Sequence, residues 1–222
     1  MTQLQPRGLT RTEIFTRVGT LAIVRPRGAE TDVAAADPET LDPFVVVEAS
    51  GTVTAFNGHV DLGTGIRTAL AQIVAEELDV AFERVGMILG DSAITPDQGA
   101  TIASETIQVT AIPLRKAAAQ ARHFLVARAA ERLGLAPEEL TVEDGLIRPK
   151  SPDNRSLTYG DVIGEARIRL ALDDAAQVKP VDDYRIVGRS QPRVDLPAKA
   201  TGGLVYVHDM RLPGMLHGRV VR

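Results

Sequence analysis

The alternation of apolar and polar residues predicts several β-strands in the first half of the chain. Residues 44–48 are rich in valine, residues 50–51 are a Ser-Gly turn signal, and residues 52–56 alternate with the period of a strand. This order predicts a β-hairpin. Residues 59–62 predict a further short strand, which leads into Gly63-Thr64-Gly65.

Two longer segments place their apolar residues at the spacing of a helix. From Ile66, apolar residues recur at 69, 70, 73, 74 and 78, which is one face of a helix, and residues 85–89 predict the next strand. Residues 102–133 predict a second, long helix with apolar positions 114, 117, 118, 121, 125 and 129. Pro113 should kink or divide it. Asp144-Gly145, between two β-prone runs, predicts a hairpin. Together these elements predict an α+β fold with a mixed sheet and packed helices.

The composition of the segments predicts four regions. Residues 1–43 are rich in Pro, Arg, Asp and Thr and predict a loosely structured extension, with one β-prone piece at residues 20–24. The main domain should occupy residues 44–150. Residues 151–194 predict a linker with a short helix near residue 160. Residues 195–222 carry Pro, Gly and β-prone runs and should begin another, incomplete domain that stops within a strand.

The overall composition excludes several classes of function. The 222 residues include no cysteine, which excludes disulfides, a thiolate nucleophile and iron–sulfur ligation by this chain. A net charge of -4 and only 4% aromatic residues argue against a nucleic-acid partner. No run of 18 apolar residues and no secretory leader are visible, so we expect a cytoplasmic protein without a membrane span.

Gly63-Thr64-Gly65 lies between a predicted strand and a predicted helix. Glycines there let the backbone approach a ligand, and the N-terminus of the helix attracts phosphate. A tight turn needs glycine in any case, so a purely structural role is the alternative. The motif is neither a Walker A loop nor the dinucleotide fingerprint, because Thr68 stands where the latter needs a third glycine.

Thr101 and Ser104 open the second predicted helix. Helix capping is the ordinary role for these residue types. The functional alternative is a second helix N-terminus that points at the same anionic ligand.

Asp61, Asp91 and Asp97 could form a carboxylate pair, but each also lies where a turn favours aspartate. The histidines, at 59, 123, 208 and 217, lack metal-ligand spacing.

Four segments, taken in order, resemble one family. Residues 51–78 and 90–104 resemble the molybdopterin-binding large subunit of the xanthine dehydrogenase/aldehyde oxidase superfamily, in the branch of isoquinoline oxidoreductase and nicotinate dehydrogenase. Residues 195–202 and 212–219 resemble the beginning of that family's α/β hammerhead domain. Much of the superfamily has Gly-Gln-Gly where this chain has Thr64 in the middle position. Any hydrogen bond from the glutamine side chain therefore does not carry over, whereas the backbone donors do.

The resemblance implies a molybdenum hydroxylase that oxidises an N-heteroaromatic compound or an aldehyde with oxygen from water. It implies a molybdopterin cofactor, with molybdenum and in the cytosine dinucleotide form, and a partner subunit that carries 2Fe-2S clusters. It also implies that this chain contributes cofactor-binding residues: Gly63, Thr64, Gly65, Thr101 and Ser104.

The sequence also departs from the family. Its late Gly-Glu-Pro motif, which supplies the catalytic glutamate, and its Gly-Phe-Gly-Gly loop do not occur here. We therefore expect no catalytic residue in these 222 residues and interpret them as the N-terminal part of a longer molybdenum subunit, which the remaining part would complete. The alternative is a non-catalytic cofactor-binding or assembly module.

Overall fold

A five-stranded mixed sheet lies at the centre of the computed structural model, which describes residues 9–28, 32–151 and 154–221. Its strands, in the order in which they lie in the sheet, are β4 (Val85–Leu89), β3 (Val53–Asn57), β2 (Leu41–Glu48), β1 (Thr20–Pro26) and β8 (Arg167–Ala171). Strands β1–β2 and β2–β3 pair antiparallel, whereas β3–β4 and β1–β8 pair parallel. The sheet is therefore mixed, as predicted.

Two helices cover one face of this sheet and a smaller layer covers the other. Helices α2 (Ile66–Leu78) and α3 (Ala111–Leu133) pack on the first face, where the six apolar positions predicted for the second half of the long helix are all buried. The short helix α1 (Arg11–Thr16) packs on the second face. Alternation along β1 explains the division, because Leu21 and Ile23 belong to the first core and Ala22 and Val24 to the second.

A second sheet of three strands packs beside the helices. It contains β5 (Leu140–Glu143), β6 (Leu146–Pro149) and β7 (Leu157–Thr158), which leads into α4 (Tyr159–Ile163). Asp144 and Gly145 connect β5 to β6 with φ of 47° and 73°. Both residues have a left-handed backbone conformation, as a two-residue hairpin turn of type I′ requires. The predicted hairpin at this site is confirmed.

After β8 the chain runs along α2 as an extended segment, residues 173–195, which we call the strap. It includes the 3-10 turn Val181–Asp183. The polar face of α2 binds it: the Glu76 carboxylate accepts hydrogen bonds from the backbone N–H groups of Arg185, Ile186 and Val187, at 2.9, 2.6 and 2.9 Å. Polar residues of α2 that would otherwise face water are therefore buried under the strap.

The segment before residue 44 differs from the loosely structured extension that the composition predicted. Thr20–Pro26 is β1, an interior strand between β2 and β8, and β2 already begins at Leu41. Residues 1–8 of the predicted extension lie outside the described residues. The composition of the segment is dominated by the turn-forming residues at its ends, and this led to the wrong prediction. The β-prone piece between them pairs with β2 on one side and with β8 on the other, so it is an ordered interior strand.

Three further predictions about local structure were wrong. Residues 59–62 form no strand, because the end of β3 turns there into the loop before α2. The second helix begins later than predicted, as a π-helix at Thr106–Thr110 that continues into α3, with Pro113 in the first turn of α3. The β-prone runs expected between residues 195 and 222 form no strand within the described residues, which pair them with no other strand. Instead, the described chain beyond the strap contains α5 (Leu196–Ala200) and the 3-10 turn Val207–Asp209.

The described helices include none with the length and apolar character needed to cross a membrane.

Candidate functional site

Three of the five predicted binding residues line one cleft. Two turns supply its walls: Thr64 belongs to the wall formed by the turn before α2, and Thr101 and Ser104 belong to the wall formed by the turn before the π-helix. The cleft has a volume of about 430 Å³. Among the described residues, its lining carries no charged side chain and mixes hydroxyl groups with other polar and apolar residues: Val60, Leu62, Ile66, Ile102, Ala103, Thr106, Ile107 and Gln108.

The two predicted glycines shape the turn that carries Thr64. Gly63 and Gly65 have φ of 99° and 82°, in the region that favours glycine, and Gly65 is the N-cap of α2. Their backbone N–H groups donate to Asp61 Oδ1 at 2.9 and 3.2 Å, and the Arg67 N–H donates to Asp61 Oδ2 at 3.2 Å. Asp61 therefore caps α2 and occupies donors that the sequence suggested for a phosphate.

The electrostatics of this cap favour an ionised carboxylate. Burial alone would raise the pKa of Asp61, but the hydrogen bonds from the N–H groups of Arg67, Gly63 and Gly65 outweigh it, so the pKa lies below its usual value. Asp91 and Asp97 cap turns of their own, through the N–H groups of Ala93 and Gly99. The three aspartates thus act in separate turns.

Donors without a partner lie elsewhere around the cleft. Among the described residues, the backbone N–H groups of Thr64, Ala103 and Ser104 donate to no protein acceptor, and the hydroxyls of Thr64 and Ser104 make no hydrogen bond. The Thr101 hydroxyl accepts a hydrogen bond from the Val60 N–H at 3.0 Å and so joins the two walls. Neutral, unpaired donors on residues that line one open cleft suit the phosphates of a dinucleotide.

The wall that carries Ser104 is held in an unfavourable backbone conformation. Ala103 and Ser104 have φ of 49° and 60°, which residues with a side chain rarely adopt. Such residues cost about 1–3 kcal/mol each and cluster at ligand-binding sites. With this strain and the unpaired donors, the residues present fit an anionic cofactor.

A buried polar network supports the floor of the cleft, and the sequence patterns did not reveal it. Asn57 and His59 are 0% exposed, at and just after the end of β3. The Asn57 side-chain amide donates to Thr110 Oγ1 at 3.1 Å, and the His59 Nδ1 lies 2.8 Å from Thr106 Oγ1. These contacts fix the π-helix against the end of β3. The i, i+4 spacing of the two threonines was the available signal.

A second cleft, of about 300 Å³, lies on the other face of the main sheet. Leu9 and Ile14 border it, and β-strand residues such as Val46, Phe56 and Ile88 form its floor. None of the five predicted binding residues lines this cleft.

Comparison with known proteins places the chain among cofactor-binding proteins. The family model described as "Molybdopterin cofactor-binding domain" matches residues 17–201. The chain is 51% identical over 219 residues to a nicotinate dehydrogenase subunit of Pseudomonas putida, a match that covers 96% of this chain and 18% of that protein. It is 30% identical over 230 residues to the β-subunit of isoquinoline 1-oxidoreductase of Brevundimonas diminuta, covering 85% and 29%.

Among solved structures, the reconstituted CO dehydrogenase from Oligotropha carboxidovorans superposes with a TM-score of 0.49 and 19% identity, over 64% of this chain and 18% of that one. The chain therefore spans less than a third of the length of each of these relatives.

Proposed function

We propose a role in cofactor binding from the premise that this chain belongs to the molybdopterin cofactor-binding domain family, whose model it matches over residues 17–201. In this proposal the cleft between Thr64 and Ser104 holds the pyrophosphate of a molybdopterin cytosine dinucleotide. The observation that carries it is that one cleft is lined by residues with unpaired backbone donors from two turns that lie about 40 residues apart in the sequence.

The proposal assigns different roles to the five predicted residues. Thr64 and Ser104 offer their free N–H groups and hydroxyls to phosphate oxygens. Thr101 fixes the distance between the two walls through its bond to Val60. Gly63 and Gly65 act through conformation, because their positive φ places Thr64 at the cleft while Asp61 occupies their own N–H groups.

The reaction of the whole protein is also part of the proposal. When bound, the molybdenum cofactor supplies two-electron oxidation with water as the source of oxygen. The names of the two relatives, a nicotinate dehydrogenase and an isoquinoline oxidoreductase, support an N-heteroaromatic substrate, with an aldehyde as the other class. This chain contains no cysteine, so we place 2Fe-2S clusters, as electron acceptors, in a partner subunit. We assign this chain no catalytic residue.

The test is the metal and nucleotide content of the protein, purified from its native source with the subunits that accompany it. Molybdenum is measured by mass spectrometry, and CMP is measured after acid release. We expect about one molybdenum and one CMP for each copy of this chain. Protein without molybdenum would refute the proposed function, whereas molybdenum without CMP would refute only the dinucleotide form.

A further inference from the structure

Arg193, at the end of the strap, makes a contact that reaches 130 residues back along the chain to the turn beside the cleft. Its Nη1 donates to the carbonyl oxygen of Gly63 at 2.8 Å. Its Nε and Nη2 donate to the two carboxylate oxygens of Asp195 at 3.0 and 2.7 Å. The second pair of bonds fixes the plane of the guanidinium group, because bidentate pairing leaves it little freedom to rotate.

Asp195 is itself held from two sides. Lys199, one turn further along α5, lies 2.5 Å from the same carboxylate. The hydrogen bond from Arg193 is the largest influence on the pKa of Asp195, and with Lys199 it holds that pKa far below its usual range. Both bonds thus favour the ionised carboxylate, which is the form that accepts the two hydrogen bonds from Arg193.

The bond to Gly63 determines the direction of a donor in the cleft. In a trans peptide the C=O of one residue and the N–H of the next lie in one plane and point in opposite directions. The carbonyl of Gly63 and the N–H of Thr64 belong to the same peptide. Arg193 therefore holds the Thr64 N–H pointing away from the strap, and Thr64 is the residue of this turn that lines the cleft.

The other features of this turn do little to fix the orientation of the Gly63–Thr64 peptide. Gly63 has open space around the position of a Cβ, and glycine adopts positive and negative φ with similar ease. Asp61 binds the N–H groups of Gly63 and Gly65 but not that of Thr64. The Gly63–Thr64 peptide thus has Arg193 as its restraint among the described residues.

We propose that Arg193, oriented by Asp195, is a positioning residue that fixes the Gly63–Thr64 peptide and so presents the Thr64 N–H to a phosphate of the cofactor. This inference rests on the proposed function. It goes beyond that function by making the strap, through Arg193, a determinant of how firmly the cofactor is held.

The test compares Arg193→Gln, Arg193→Lys and Asp195→Asn with the control Arg189→Gln in the protein purified with its cofactor. Arg189 lies in the same strap, is exposed, and its guanidinium has no partner among the described residues. Two quantities are measured: the rate at which CMP-containing cofactor is lost on dialysis, and hydrogen exchange of the peptide covering residues 61–68 in cofactor-free protein.

Arg193→Gln should speed cofactor loss about 5- to 30-fold, the effect of one or two kcal/mol from a lost charge-assisted bond. It should also speed exchange in residues 61–68. Arg193→Lys should show a smaller change, because an ammonium can reach one acceptor but cannot reproduce the fork. Asp195→Asn should change both quantities in the same direction, and Arg189→Gln should leave both unchanged.

The outcomes separate the two proposals. Wild-type protein without molybdenum and CMP refutes the proposed function, and the exchange measurement then still tests Arg193. Loaded wild-type protein whose Arg193→Gln variant loses cofactor at the wild-type rate overturns the positioning role. Faster exchange confined to residues 185–195, with normal cofactor retention, also overturns it and leaves Arg193 as an anchor of the strap. If Arg193→Gln does not fold, Arg193→Lys and Asp195→Asn decide.

Discussion

Substitution of Gly65 distinguishes a purely structural role of the turn from a role in cofactor binding. A side chain there would be strained at φ 82°, and its Cβ would lie 3.3 Å from the Arg193 side chain. Strain of about 1–3 kcal/mol corresponds to roughly 5- to 150-fold weaker binding. Gly65→Val should therefore lower molybdenum and CMP content, while iron in a partner subunit stays unchanged. Thr64→Ala should have a smaller effect, because it keeps the backbone donor.

The matched control for this substitution is Gly134→Val. Gly134 has φ 67° at the C-terminal end of α3 and does not line the cleft, so the variant has comparable backbone strain without touching the site. Both variants should unfold at lower temperature, and only Gly65→Val should lose cofactor. Full cofactor occupancy in folded Gly65→Val protein would refute the assigned role of the turn.

Asp61 should make the stability of this turn depend on pH. Because its pKa is lowered in the folded protein, its contribution to stability is present above the unfolded value of about 3.9 and is lost as the pH falls through the folded value. Asp61→Asn should cost about 0.5–2 kcal/mol at pH 7, because the amide is uncharged and places a donor where Oδ2 accepts the Arg67 N–H. The cost should shrink below about pH 4. Urea unfolding of both proteins from about pH 7 to about pH 3 measures this difference, and a cost that does not depend on pH would contradict the cap.

At the scale of elements, α2 shows what an amphipathic pattern can and cannot predict. Its apolar stripe and its bounds follow from the sequence, since residues at i, i+3 and i+4 share a face. Glu76 and Glu77 lie off that stripe and would be expected in water, yet both are almost completely buried. The reason lies about 100 residues away, in a strap with no periodic pattern, so no local signal could reveal it.

Glu76 should be the residue on which the strap depends most. Burial would raise its pKa, but the three backbone N–H groups of the strap and Lys179 lower it overall. Glu76→Gln exchanges charge-assisted bonds, each worth about 1.5–3 kcal/mol, for weaker ones. We expect hydrogen exchange at residues 185–187 to rise at least about tenfold, the effect of roughly 1.4 kcal/mol.

The exposed Glu131 provides the comparison. It pairs with Arg128 at the surface, where an ion pair contributes about 0–1 kcal/mol. Glu131→Gln should leave exchange in the strap at the wild-type rate. Equal exchange in Glu76→Gln and wild-type protein would show that other contacts hold the strap.

The candidate site could be predicted only in part, for a similar reason. Glycine turns and hydroxyl residues before helices are visible in the sequence, and the structure brings Thr64, Thr101 and Ser104 to one cleft. The sequence could not reveal which backbone N–H groups are free. Asp61 accepts hydrogen bonds from the N–H groups of Gly63 and Gly65, and it lies in a loop that was expected to be a strand. The role of Arg193 likewise needs three-dimensional proximity.

At the scale of the whole molecule, the N-terminal segment completes the main sheet. Ile23, in β1, is 0% exposed, and Val18, five residues earlier, is 65% exposed. Ile23→Ala should cost about 2–5 kcal/mol in the free energy of unfolding, as for other buried aliphatic residues. Val18→Ala should change it by less than about 0.5 kcal/mol. Denaturant unfolding measures both changes. An unchanged free energy of unfolding in Ile23→Ala would support the loosely structured extension instead of an interior strand.

The proposed function depends on where the cofactor binds. The most direct measurement is an experimental structure of the protein purified with its cofactor, with attention to the density of the pyrophosphate. We predict that the pyrophosphate lies in the cleft, within hydrogen-bond distance of the Thr64 N–H on one wall and the Ser104 N–H or hydroxyl on the other. A pyrophosphate bound away from residues 63–65 and 101–104 would contradict the proposed site.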